Sequence, residues 1–123
     1  MRFVREMIES GLKRFPVKSK PGKVILLERD QIFFIEAEGD DSLIRTARKT
    51  MRRHSERLEQ VEERLPSPPF FRIHRSYIVN LDRVYELRTR AEGEWEVKMD
   101  PPVNKVLPVS RRRMEELRKL LGI

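Results

Sequence analysis

The chain has 123 residues, of which 38% are charged and 38% hydrophobic, with 27 basic against 20 acidic side chains and a formal charge of +7. That size fits one domain with a modest core, and the basic excess fits a polyanionic partner. With no cysteine, disulfides, thiolate catalysis and cysteine-ligated zinc are excluded; no apolar run approaches the roughly 20 residues of a membrane span, and the first residues lack a signal peptide's apolar centre, so a soluble cytoplasmic protein without membrane contact is expected.

Residues 1–15 place Phe3, Val4, Met7, Ile8, Leu12 and Phe15 at helical spacing. This predicts an amphipathic N-terminal helix that packs on its own domain, pairs with a twin, or joins an upstream domain. Pro16 and Lys18-Ser19-Lys20-Pro21-Gly22-Lys23 then read as a linker, which divides the chain into 1–23 and 24–123.

Residues 24–27 and 31–37 read as strands around the polar turn Glu28-Arg29-Asp30, and Glu38-Gly39-Asp40-Asp41 turns the chain into a returning strand from Ser42. Between residues 24 and 44 the acids Glu28, Asp30, Glu36, Glu38, Asp40 and Asp41 face a single base, Arg29. This face should avoid phosphates unless its acids are aimed elsewhere. The sign then reverses at Arg45, Arg48, Lys49, Arg52 and Arg53.

Ser55 is positioned to cap a helix with Glu56 in its first turn and Leu58, Val61 and Leu65 as its apolar stripe, ended by Pro66. Its Glu59, Glu62 and Glu63 lie close enough to arginines to form a solvated charge lattice. Ser67-Pro68-Pro69 is a rigid turn.

The stretch Phe70-Phe71-Arg72-Ile73-His74-Arg75-Ser76-Tyr77-Ile78-Val79-Asn80 concentrates apolar, basic and hydrogen-bonding residues. At period two, Phe71, Ile73, Tyr77 and Val79 face a core while Arg72 and His74 face away, with a polar break at Arg75-Ser76. Residues 85–90 and 94–99 flank Ala91-Glu92-Gly93 as a hairpin. Residues 105–109 read as a last strand, Pro108 suiting an edge. Ser110 then caps a helix that turns Met114, Leu117, Leu120 and Leu121 inward, with Gly122 just past its end.

Phe71-Arg72-Ile73-His74-Arg75-Ser76-Tyr77-Ile78-Val79-Asn80-Leu81 resembles the signature of LytTR-type DNA-binding domains, the output modules of LytR/AlgR response regulators in bacteria. Ile32-Phe33-Phe34-Ile35-Glu36-Ala37-Glu38-Gly39 is similar to that family's early strand and turn, and Leu107-Pro108-Val109-Ser110-Arg111-Arg112-Arg113 to its closing strand and helix start. The resemblance implies a mainly β fold with short helices (α+β), an elongated set of small antiparallel sheets, to which the N-terminal helix is added. It also implies that loops, instead of a recognition helix, enter successive major grooves of promoter DNA.

Carried over by position, the loops are 39–43, His74-Arg75-Ser76 and 110–113. Arg75 and Arg112 become the expected base readers, with Arg111, Arg113, Ser76 and Arg72 on phosphates and His74 a neutral hydrogen-bonding partner. An arginine fork can pair with both acceptors of a guanine edge, and a helix start beside Arg111 favours an anion. The first loop departs from the family by carrying Asp40 and Asp41, which leaves Ser42 as its contact.

From the residues alone, 110–113 also reads as a solvated basic turn, and His74 and Ser76 as turn-forming side chains. Asn80 is expected to bond backbone within the fold.

Catalysis is not expected. His74 and Ser76 have no third group to orient the histidine, metal-ligand spacing is missing, no glycine-rich phosphate loop appears, and no cofactor or metal is implied. The remaining alternative is a basic RNA-binding or protein-interaction module without sequence-specific DNA readout. Single-strand readers present exposed aromatics for stacking, and this chain has 7% aromatics, which favours duplex DNA. A transcription regulator acting as two protomers on repeated half-sites is the reading that results, the homodimer forming through the N-terminal helix or on DNA.

Overall fold

The computed structural model describes residues 14–123. Its strands are β1 (Arg14–Lys20), β2 (Lys23–Glu28), β3 (Phe34–Glu38), β4 (Asp41–Arg45), β5 (Arg52–His54), β6 (Phe70–His74), β7 (Tyr77–Asn80), β8 (Val84–Ala91), β9 (Glu94–Met99) and β10 (Val106–Val109), with helices α1 (Leu58–Arg64) and α2 (Arg111–Leu121). They form three antiparallel sheets: the hairpin β1-β2, a central sheet in the order β5-β4-β3-β7-β6, and a third in the order β10-β9-β8.

The central sheet is covered on both faces, and its sequence shows why. Because side chains alternate along a strand, Phe34 enters one apolar cluster and Ile35 the other; Phe71 and Ile73 oppose Phe70, and Val79 opposes Ile78. One cluster joins the central sheet to the third sheet and α2 through residues such as Val97, Leu107 and Leu117. The other joins it to β1-β2 and α1 through Phe15, Val17, Leu58 and Val61. A strand buried on both faces needs an unbroken apolar run, which residues 32–35 supply.

Several expectations change. The apolar stripe from Phe3 to Leu12 lies outside the described residues, but its last member, Phe15, is a strand residue only 3% exposed. Residues 16–23, read as a linker, are instead most of the β1-β2 hairpin, in which Val17 pairs with Ile25 and Lys18 with Val24. The hairpin is fastened to β5, since Ser55 N–H donates to the Lys18 carbonyl at 2.8 Å and Lys18 N–H to His54 Nδ1 at 3.0 Å. Charged and small residues there satisfy a two-stranded ladder, which linker composition does not reveal.

Helix α1 starts after Arg57, not Ser55. Residues 54–56 are already engaged: His54 Nε2 meets Glu56 Oε1 at 2.6 Å, Arg64 also reaches that oxygen, and the Glu56 carbonyl accepts from Ser42 Oγ at 2.7 Å. The stripe Leu58, Val61 and Leu65 is buried as expected. At the other terminus α2 buries Met114 and Leu117 and ends at left-handed Gly122 (φ 71°), but Leu120 and Leu121 stay 39% and 36% exposed. Asn80, 2% exposed, does bond backbone: its Nδ2 donates to Ile32 O at 3.1 Å and its Oδ1 accepts from Asp82 N–H at 3.0 Å.

Candidate nucleic-acid interface

The β6-β7 turn is built by side chains that bond its own backbone. The pairing slips between Arg72, opposite Ile78, and His74, opposite Tyr77, so Ile73 sits at an irregularity that bends the strand. Ser76 N–H donates to His74 Nδ1 at 3.0 Å, which requires that nitrogen unprotonated. Burial first, then the nearby Arg75 and Arg72 charges, hold the His74 pKa below its ordinary value, in keeping with a neutral ring. Arg72 donates from Nε to the His74 carbonyl at 2.9 Å and from Nη2 to the Arg75 carbonyl. Arg75 itself is exposed, and its side chain has no hydrogen-bonded or ion-paired partner among the described residues. Ser76 is half-buried, its carbonyl accepting from Ala37 N–H at 2.9 Å.

The carbonyl at the bend reaches out of the sheet. Ile73 O accepts from Ser110 N–H at 2.8 Å, and this ties the start of α2 to the end of β6. Arg75 and Arg112 each lie two residues from that bond, and two residues span at most about 7 Å. Their Cα atoms are therefore no more than about 20 Å apart, less than the roughly 34 Å of one duplex turn.

Arg112 is exposed and unpaired among the described residues. Arg111 is exposed as well, with Nη2 beside Gly93 at the tip of the β8-β9 hairpin. Arg113 differs: half-buried and 3.8 Å from Glu116, it lines a small crevice with Glu62, Phe71 and Arg72.

Two expected contacts do not survive the geometry. Ser42 is fully buried, its hydroxyl donating to the Glu56 carbonyl between β4 and the entry to α1, so no surface partner can reach it. Arg72, expected on a phosphate, has a side chain only 10% exposed and ion-paired to Glu62 at 2.9 Å and Glu59 at 3.4 Å.

The acids of the first loop are aimed at the protein's own cations. Asp40 pairs with Arg57 at 2.7 Å and Asp41 with Arg53 at 3.1 Å. This loop stands at the same end of the central sheet as Arg75, because Glu36 pairs with Tyr77. Arg48 and Lys49 follow the opposite end of β4, where Arg45 pairs with Phe34, so that basic group is remote from Arg75. The pairing of Arg53 and Arg57 with this loop was missed; the signal for it was the surplus of acid at Asp40-Asp41.

Among the described residues no helix is long and apolar enough to cross a membrane, and no cluster of His, Cys, Asp or Glu is grouped to hold a metal ion.

A family model described as the LytTr DNA-binding domain matches residues 22–122. The chain belongs to the LytTR family. The LytTr DNA-binding domain of a Bacillus cereus protein described as a methyl-accepting/DNA response regulator superposes with a TM-score of 0.76 over 92% of this chain and 100% of that one, at 24% identity. That likeness shows the same fold. Sensory transduction protein LytT of Oceanobacillus iheyensis is 30% identical over 89 residues, covering 72% of this chain and 36% of the relative. The heme-containing CO-sensing transcriptional regulator RcoM 1 of Paraburkholderia xenovorans is 35% identical over 120 residues, 91% of this chain and 41% of the relative. The chain thus spans well under half the length of these curated relatives. As a LytTR domain it is a DNA-binding module, a non-enzymatic kind of module, and its mainly β fold with two helices and small antiparallel sheets among the described residues matches the resemblance.

Proposed function

We propose that this LytTR domain reads the major groove of double-stranded DNA through the β6-β7 turn and the start of α2. Arg75 and Arg112 are the base readers, and Arg111, Ser76 and the free N–H groups opening α2 meet phosphates. The single observation that carries this reading is the Ser110 N–H bond to the Ile73 carbonyl, which holds two unpaired arginines within reach of one duplex. His74 acts within the turn by fixing Ser76. The chain works in a bacterial cytoplasmic transcription regulator, two protomers occupying repeated half-sites of a promoter and brought together on the DNA itself.

Selecting duplexes from a random pool and titrating the winner, random duplex and single strands by fluorescence anisotropy tests this. The selected duplex should bind at least about a thousandfold more tightly than random duplex, the lower end of the range usual for specific sites, and log affinity should fall linearly with log salt. Equal affinity for all three nucleic acids would overturn it in favour of a basic module without sequence readout. Tyr85 is the one aromatic among the large exposed hydrophobics of the described residues, a poor platform for stacking single strands.

A further inference from the structure

Resting on the DNA-reading turn proposed above, we infer that Arg72 is a positioning residue: with Glu59 and Glu62 of α1 it clamps the His74 and Arg75 carbonyls and so sets the direction in which Arg75 leaves the protein. Its side chain is only 10% exposed. It bonds His74 O through Nε, Arg75 O and Glu59 through Nη2, and Glu62 through Nη1. An arginine has five N–H donors in a fixed fork, and four bonds to partners of the fold leave it little to offer a phosphate.

The arrangement also explains why the bend at Ile73 is there. The slip in pairing after Arg72 frees the Ile73 carbonyl for Ser110 N–H, while the next two carbonyls point back to Arg72. Three successive carbonyls are thereby fixed by groups outside the β6-β7 ladder. Rotating any of those peptide planes would swing Arg75, and misplacement by about 1 Å is enough to spoil a bidentate contact. Helix α1 thus shapes sequence reading without touching DNA, through Glu59 and Glu62, which are 66% and 42% exposed.

Lysine is the discriminating substitution, since it keeps the charge but replaces a planar fork with a point charge. In Arg72→Lys, the ratio of selected-site to random-duplex affinity should fall about tenfold, with random-duplex affinity and salt slope unchanged. Glu59→Gln/Glu62→Gln should lower that ratio too, although removing two acids near DNA would by charge alone raise affinity for every duplex. In the free protein, amide exchange at Arg75 and Ser76 should quicken in both variants.

A phosphate contact behaves otherwise: Arg72→Gln would flatten the salt slope by about one, and Arg72→Lys would leave the ratio intact. Either result, or unchanged amide exchange, overturns the clamp. Should Arg72→Lys fail to fold by circular dichroism, the exposed Glu59→Gln/Glu62→Gln pair carries the same test. If the wild-type domain shows no site preference, the proposed function falls, and amide exchange still decides whether the clamp exists.

Discussion

Two turns stand side by side at one end of the central sheet, and they treat their charges in opposite ways. In the β6-β7 turn the protein uses Arg72, His74 and Ser110 to bond the backbone and leaves Arg75 unpaired. In the β3-β4 turn it bonds Asp40 to Arg57 and Asp41 to Arg53, so both aspartates at the tip have a partner. On the function proposed above, the difference implies that a basic residue beside the DNA is a reader only if its donors are free and its backbone is held. Net charge along the chain does not report either condition.

The sharpest way to break the comparison is to remove the free arginines. Arg112→Ala and Arg75→Ala should each cost about 1–3 kcal/mol of discrimination between the selected site and its single-base variants. Arg48→Ala, remote from that end, should instead leave site preference as it is. Competition titrations at fixed salt measure both. If Arg48→Ala and Arg112→Ala behaved alike, the division between free reader and bystander would be wrong.

The next largest effect is expected from the tether. Ser110→Pro suits the observed φ of −69° but removes the N–H that reaches Ile73 O. Losing one bond to a buried carbonyl, with the proline ring now crowding that oxygen, should cost at least about 1–3 kcal/mol of stability, read from urea midpoints. Site preference should weaken too, because Arg75 and Arg112 would no longer share one frame. Preserved preference with the expected stability loss would mean that the two turns read independently.

Much of this was legible beforehand, and the exceptions share a cause. Alternation placed Phe71, Ile73 and Val79 correctly because a strand's period depends only on its own backbone. Gly122 and the β8-β9 hairpin were legible because their partners are local or their conformations are residue-specific, and Asn80 was legible as a backbone-bonding residue through Asp82, two positions on, although its other bond reaches Ile32, 48 positions away. Ser42 and Arg72 were misread because their exposure is decided by residues far away in sequence: Glu56 is 14 positions from Ser42, and Glu59 is 13 from Arg72. A serine or arginine in a turn looks the same whether a helix later covers it or not. The β1-β2 hairpin was missed for a related reason, since β1 is stabilised by His54 on another sheet.

Acidification should sharpen the contrast between held and free groups. His54 is fully buried and accepts Lys18 N–H on Nδ1; burial lowers its pKa against the opposing pull of Glu56, with Arg64 and Lys18 adding to the lowering. His74 is shifted in the same direction. A histidine whose folded pKa lies below its ordinary 6.5 binds more protons when unfolded, so its stabilisation is complete above about pH 6.5 and is lost as pH falls below it. Chemical denaturation between pH 7.5 and 5 should therefore show stability falling with acid, and both imidazoles should titrate below 6.5 by NMR. A stability that rose on acidification would reverse the assignment of Nδ1 as an acceptor in both rings.

The smallest effect is expected at the β3-β4 turn. Asp40 and Arg57 are 83% and 62% exposed, and exposed ion pairs contribute at most about 1 kcal/mol, so Asp40→Asn/Asp41→Asn should barely move the denaturation midpoint. What should move is binding to DNA of any sequence. Releasing Arg53 and Arg57 while deleting two negative charges adds cations at the end of the sheet that carries Arg75. Affinity for random duplex should rise, and each new phosphate contact should steepen the salt slope by about 0.9. Preference for the selected site over random duplex should stay as it was, because a gain shared by all sequences multiplies both affinities alike while the contacts of Arg75 and Arg112 are unchanged. A gain confined to the selected duplex would instead make Arg53 or Arg57 a reader, and the first loop would have to be counted with the other two.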